Sequence, residues 1–193
     1  MRPNFLVLIL IISVPFHSYT QEKKASKLTG FYSIASAGYV FGESGVYPVA
    51  QLSSGIRMKD FKLGIGGGYD GYRFKSFPIF ADIRMDFGKR KKFFGYVNGG
   101  YHFPEGEETF DIWSYPGTEN WEGGLYADAG LGFRFKLGKK HNLLLSSSYN
   151  YKKVSHTKTY VYPCLVPPCP GDVYNYDYGL NYINTRLSWE INY

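Results

Sequence analysis

The stretch Phe77-Pro78-Ile79-Phe80-Ala81-Asp82-Ile83-Arg84-Met85-Asp86-Phe87 alternates without a break. Its odd positions are all apolar, and its even positions carry Asp82, Arg84 and Asp86. Successive side chains of a strand point to opposite faces, so this is a strand with one apolar and one charged face. Leu125 to Lys136 repeats the scheme, with Leu125, Ala127, Ala129, Leu131, Phe133 and Phe135 opposite Tyr126, Asp128, Arg134 and Lys136. The end of the chain repeats it again, with Ile183, Leu187, Trp189, Ile191 and Tyr193 opposite Asn184, Arg186, Ser188, Glu190 and Asn192.

Five further segments read as strands: Gly30 to Phe41, Val49 to Met58, Phe61 to Tyr72, Phe93 to Phe103 and Asn142 to Lys152. No helical period appears after residue 21. The connections at Lys59-Asp60, Gly88 to Lys92 and Leu137 to His141 are tight, whereas Pro104 to Trp121 and Val154 to Tyr176 are long. Eight strands of about 9 to 11 residues, with short turns at one end and long loops at the other, describe an all-β, antiparallel, up-and-down transmembrane β-barrel. Tyr174, Tyr176 and Tyr178 share the parity of Tyr182, so the last strand either rises above the membrane or bulges near Gly179.

Alternation alone does not say which face is outside. A soluble barrel would turn its apolar face inward around a ligand. Here the polar face mixes Gly64, Gly66, Gly68, Gly100, Gly130 and Gly132 with Tyr32, Phe80, Tyr96, Tyr126 and Tyr182, small beside large, as a narrow interior requires. The same face carries both charge signs, and Asp82, Arg84, Asp86, Asp128, Arg134, Arg186 and Glu190 are read as an interior charge network. The apolar face is aromatic at both ends. Phe61, Phe87, Phe93, Phe135 and Tyr193 lie near the short turns, and Tyr39, Phe41, Tyr69, Tyr101, Phe103 and Tyr151 near the loops, as two interfacial girdles. Lipid therefore lies outside. An eight-stranded interior is filled by side chains, so no open diffusion pore is expected, and its glycine-rich positions are expected to tolerate small polar substitutions better than lipid-facing Leu131 tolerates arginine.

Composition agrees. A chain of 193 residues with 19% aromatics and 23 glycines is no coiled coil, collagen or disordered tail, and a mean hydropathy of −0.27 excludes a polytopic helical membrane protein. The net charge of +6 sits in turns such as Lys89-Arg90-Lys91-Lys92 and Lys139-Lys140 instead of one stripe, so no nucleic-acid partner is expected. Residues 1–20 read as a cleaved signal peptide: Arg2, an apolar run from Phe5 to Phe16 too short to span a bilayer, then a small-residue site ending at Thr20. Residues 21–28 then form a short N-terminal segment, and 29–193 the barrel. An exported chain meets an oxidising compartment, so Cys164 and Cys169 are expected to form a disulfide. A zinc site needs about four ligands, and only His156 lies near the cysteines; no metal and no cofactor are expected.

The chain resembles the short, eight-stranded, porin-like outer-membrane β-barrel proteins of Gram-negative bacteria over about residues 28 to 193. Two features carry the resemblance: the segment Phe77 to Arg84, and the chain end, where Leu187, Trp189, Ile191 and Tyr193 are similar to the signal read by the barrel-assembly machinery. Ser188 and Ile191 depart from the usual Gly and aromatic at those places. The resemblance implies an outer-membrane location, an N-terminus in the periplasm and long loops outside. The implied partners are outer-membrane lipid and lipopolysaccharide, the assembly machinery, and an extracellular partner that the sequence does not name.

The candidate chemistry is sparse. Gly64-Ile65-Gly66-Gly67-Gly68 lies inside an alternating strand with no helix to receive a phosphate, so it is read as close packing. Some barrels of this kind are lipid A deacylases or acyltransferases that use His, Ser and a carboxylate. His102, Ser148 and Asp70 share inward parity toward the loop end, but no family motif surrounds His102. The loop after Pro104 is acidic without the spacing of a calcium loop. It carries Trp113, Tyr115 and Trp121, and the last loop carries Tyr160, Tyr162, Leu165 and Val166; these are the candidate recognition residues. The expected function is non-enzymatic: envelope structure, adhesion or partner binding, with a lipid-modifying enzyme or a narrow channel as alternatives.

Overall fold

The computed structural model describes residues 30–105, 117–161 and 171–193. Every regular element is a strand: β1 (Gly30–Gly42), β2 (Gly45–Met58), β3 (Phe61–Asp70), β4 (Ser76–Phe87), β5 (Phe93–Pro104), β6 (Gly117–Glu122), β7 (Gly124–Lys136), β8 (His141–Val161) and β9 (Gly171–Asn192). All pairings are antiparallel. Each long strand pairs with the next along the chain, and β1 closes on β9 with Ala35 opposite Trp189. The result is a closed ring of eight strands without a free edge, the arrangement that lets a sheet satisfy its backbone groups inside lipid. Short β6 is the ninth element and pairs only with β8, beyond the ring.

The faces are those the alternation implies. Along β4 the burial pattern is strictly two-fold: Ile79 is 60% exposed, and its neighbours Phe80 and Asp82 are 3% and 0% exposed. Leu52, Ile65, Leu125, Leu131 and Leu187 are likewise exposed, whereas Lys62, Asp128, Lys152, Arg186 and Glu190 are buried. An apolar exterior around a charged interior inverts the soluble pattern and has lipid as its solvent. On that exterior Phe87, Phe93, Phe133 and Phe135 form a continuous aromatic row near the short turns, with ring centroids 4.8–6.0 Å apart.

Three local features differ from the sequence reading. The first loop-end connection is a two-residue turn at Glu43-Ser44, because β1 and β2 stay paired out to Gly42 opposite Gly45. The second strand thus begins at Gly45 and not at Val49, and Pro48 within it lies just past the end of the β2–β3 ladder. The second connection, Gly71 to Lys75, is also short and folds inward, burying Tyr72. Finally, of the two readings of the last strand, the unbulged rise past Gly179 holds, and the bulge lies elsewhere. β8 and β9 keep one register from His141 opposite Ile191 to Val161 opposite Gly171. The bulge lies instead at Gly123, where the pairing to β8 shifts by one residue between Glu122 opposite Ser155 and Tyr126 opposite Lys152.

The interior glycines make room for rings. A Cβ on Gly66 would stand 2.6 Å from the Phe80 ring, and one on Gly132 would overlap the Phe94 ring. A side chain at either position must displace that ring.

Candidate functional site

The barrel interior is filled in stacked layers. Near the loop end Asp70 accepts from the Tyr182 hydroxyl and lies 3.3 Å from Lys152 Nζ. Below it, Arg186 donates to Gln51, Tyr96 and Asp128, the last at 2.6 Å, and Asn98 donates to the same Asp128 oxygen at 3.2 Å. Further down, Arg84 Nε lies 2.9 Å from Asp82. At the short-turn end Arg134 grips both Asp86 oxygens at 2.6 and 2.7 Å, and Lys62 donates to Glu190 at 2.7 Å. The seven charged residues named from the sequence thus fall into three clusters, separated by Tyr32, Phe94 and Tyr96. Lys152 and Lys62 are partners the seven lacked. Lys152 has the even parity of Ser146, Ser148 and Asn150, a signal already present in the sequence.

His102, Ser148 and Asp70 are not brought together as a catalytic group. His102 Nε2 donates to the Lys153 carbonyl at 2.8 Å, Ser148 accepts from Asn150 at 3.1 Å, and Asp70 serves Tyr182, Lys152 and the Tyr72 backbone N–H. Leu187, Trp189, Ile191 and Tyr193 all face outward along the seam with β1.

Above the ring, β8 and β9 continue as a paired hairpin over residues 153–161 and 171–179, which at roughly 3.3 Å per residue amounts to about 30 Å. The polarity of the two faces reverses there. The outward face now holds polar pairs: Ser155 donates to Asp177 at 2.5 Å and Thr157 to Asn175 at 3.0 Å. The inward face holds rings instead. This reversal marks where the wall leaves lipid and enters water.

Those rings form a concave platform over the barrel mouth. Trp121 lies flat on His156, with centroids 4.0 Å apart and planes 7° off parallel. Phe74 packs against Trp121 at 4.9 Å and Tyr178 at 5.4 Å, and Tyr176 lies 6.0 Å from His156. Tyr160 packs edge-on against Tyr174 at 5.8 Å. Tyr174 and Tyr176 remain exposed, and the Trp121 indole N–H has no hydrogen-bond partner among the described residues. Glu119 lies 2.9 Å from Lys158 and 3.5 Å from His156 Nε2. Its hydrogen bond holds the Lys158 ammonium above the usual lysine range. Trp121 belongs to a strand, not to the loop the sequence implied, and Tyr160 likewise lies on β8. His156, Tyr174, Tyr176 and Phe74 join them on the platform. Trp113, Tyr115, Tyr162, Leu165, Val166, Cys164 and Cys169 lie outside the described residues, as do the leader and residues 21–28.

The chain is similar to the crystal structure of the outer membrane protein OprG from Pseudomonas aeruginosa, with a TM-score of 0.60 and 9% identity over 85% of this chain and 96% of that one. It is also similar to Neisserial surface protein A, with a TM-score of 0.54 and 15% identity over 86% and 98% of the two chains. The fold is that of the small eight-stranded outer-membrane barrels. No protein-family model and no curated protein matches the sequence. At these identities the likeness concerns the outer-membrane barrel architecture, and the platform has to be read from its own residues.

Proposed function

We propose that this chain is a non-enzymatic outer-membrane barrel that displays a recognition surface on its extended β8–β9 hairpin and β6. The observation that carries the reading is the aromatic platform: rings held rigidly by a continuous sheet and turned toward the aqueous mouth. Rigid aromatic groups supply contact area at low entropic cost, which is how binding surfaces concentrate their energy. On this reading the platform faces the cell exterior and engages an extracellular partner. The short turns face the periplasm, the girdles sit among outer-membrane lipid and lipopolysaccharide, and the outward residues of β9 serve the assembly machinery. On the same reading a Cys164–Cys169 bridge would hold Leu165 and Val166 out as an apolar knob beside Tyr160 and Tyr162.

Displayed on a non-adherent strain, the protein should raise binding to surfaces the parent strain recognises. Trp121→Ala with Tyr176→Ala should return adherence to background at equal surface level. Unchanged adherence would remove the platform from the reading.

The filled interior argues against a channel. In planar bilayers the purified barrel should show no resolved single-channel steps, because stacked rings and ion pairs from Tyr72 to Glu190 are buried across the interior. Regular conductance steps in the wild-type protein would instead favour the channel.

A further inference from the structure

The short-turn end of the barrel opens into a cup of about 560 Å³, within the range of small-molecule sites. Seven cationic side chains and only two carboxylates line it. Both carboxylates already face cations: Asp86 is gripped by Arg134 through both oxygens, and Glu190 accepts through Oε1 from Lys62, Asn142 and Asn192 while its Oε2 lies 3.5 Å from Arg134. Lys91 on the wall pairs with Asp60 of the neighbouring turn. Lys136 and Lys139 stand on the wall with no carboxylate of the cup left to meet them. On the floor, Arg134 is 6% exposed, and its Nε–H has no hydrogen-bond partner. An unsatisfied guanidinium N–H at the base of a cationic concavity is an incomplete hydrogen-bond set that an oxyanion would complete. The low-dielectric barrel wall around the cup focuses its positive field.

We propose that this cup binds a multiply charged oxyanion of the phosphate class, seated above Arg134 and held by Lys136 and Lys139. The site lies at the opposite end from the platform and does not depend on the platform having a partner. Its ligand would be either a free phosphate compound or the headgroup of an anionic phospholipid bent over the rim. Lys136 and Lys139 are exposed and take no part in the buried pairs, so they can be changed without disturbing the fold.

The test is calorimetric titration of the full barrel with pyrophosphate, in nanodiscs of phosphatidylcholine alone and of phosphatidylcholine with phosphatidylglycerol. Lys136→Gln with Lys139→Gln should weaken pyrophosphate at least tenfold, Lys153→Gln at the far end should leave it unchanged, and higher salt should weaken it. Equal binding in both discs identifies a free anion, whereas loss of binding in the phosphatidylglycerol discs identifies a competing headgroup. Absence of pyrophosphate binding in phosphatidylcholine discs, or binding that the double variant leaves intact, overturns the proposal.

Discussion

Replacing Asp128 by leucine is expected to lower the unfolding free energy of the barrel by about 3–5 kcal/mol, the cost of leaving a buried charge without its counterion. Asp128 and Arg186 are 1% and 3% exposed and meet at 2.6 Å in the middle of the interior. The other acceptors of Arg186, Gln51 and Tyr96, are neutral and cannot replace the lost carboxylate. The companion Asp128→Leu with Arg186→Met should regain most of the loss, because an apolar pair of similar volume carries no desolvation cost. Reversible urea unfolding in phospholipid vesicles measures both. If the single variant is as stable as the wild type, water reaches Arg186, and the interior is wetter than its packing indicates.

The second large effect lies on the other face. Leu131→Arg should cost about 2–4 kcal/mol, the penalty for a cation near the bilayer midplane on a lipid-facing strand position. Leu131 is 66% exposed, near the middle of β7, opposite Gly95 and Ser147. A guanidinium there has no interior partner and must reach toward a headgroup. The same unfolding measurement serves, and undiminished stability would show that this part of β7 does not face lipid.

The two variants sit three residues apart on one strand and fail for opposite reasons, and the sequence distinguishes them. Parity assigns Leu131 to one side and Asp128 to the other because a strand has a period of two and lipid punishes any exception. The pairings are a different matter. That Lys62 meets Glu190, 128 residues away, or that Arg134 meets Asp86, follows from strand register around a closed ring. No local pattern encodes that register. The missing strand β6 had a local cause: Trp121 is out of phase with β7, and Gly123-Gly124 reads as loop. The platform was legible only as scattered aromatics, since its rings come from three strands and the inward-folded connection carrying Phe74.

The bulge at Gly123 has a wider consequence. Along the β6–β7 strand, even-numbered residues point into the barrel below the bulge and odd-numbered ones above it, which is why Trp121 joins the platform instead of facing outward. A backbone that slips by one residue at the waterline works as a frame shift. The transmembrane part and the displayed part can then change their sequences under separate rules, one set by lipid and the other by whatever the platform meets. Deleting Gly123 would remove the bulge yet leave Glu122 opposite Ser155 and Trp121 opposite His156, so the extra residue sets the phase of the sequence while the pairing to β8 sets which side of the wall each side chain serves.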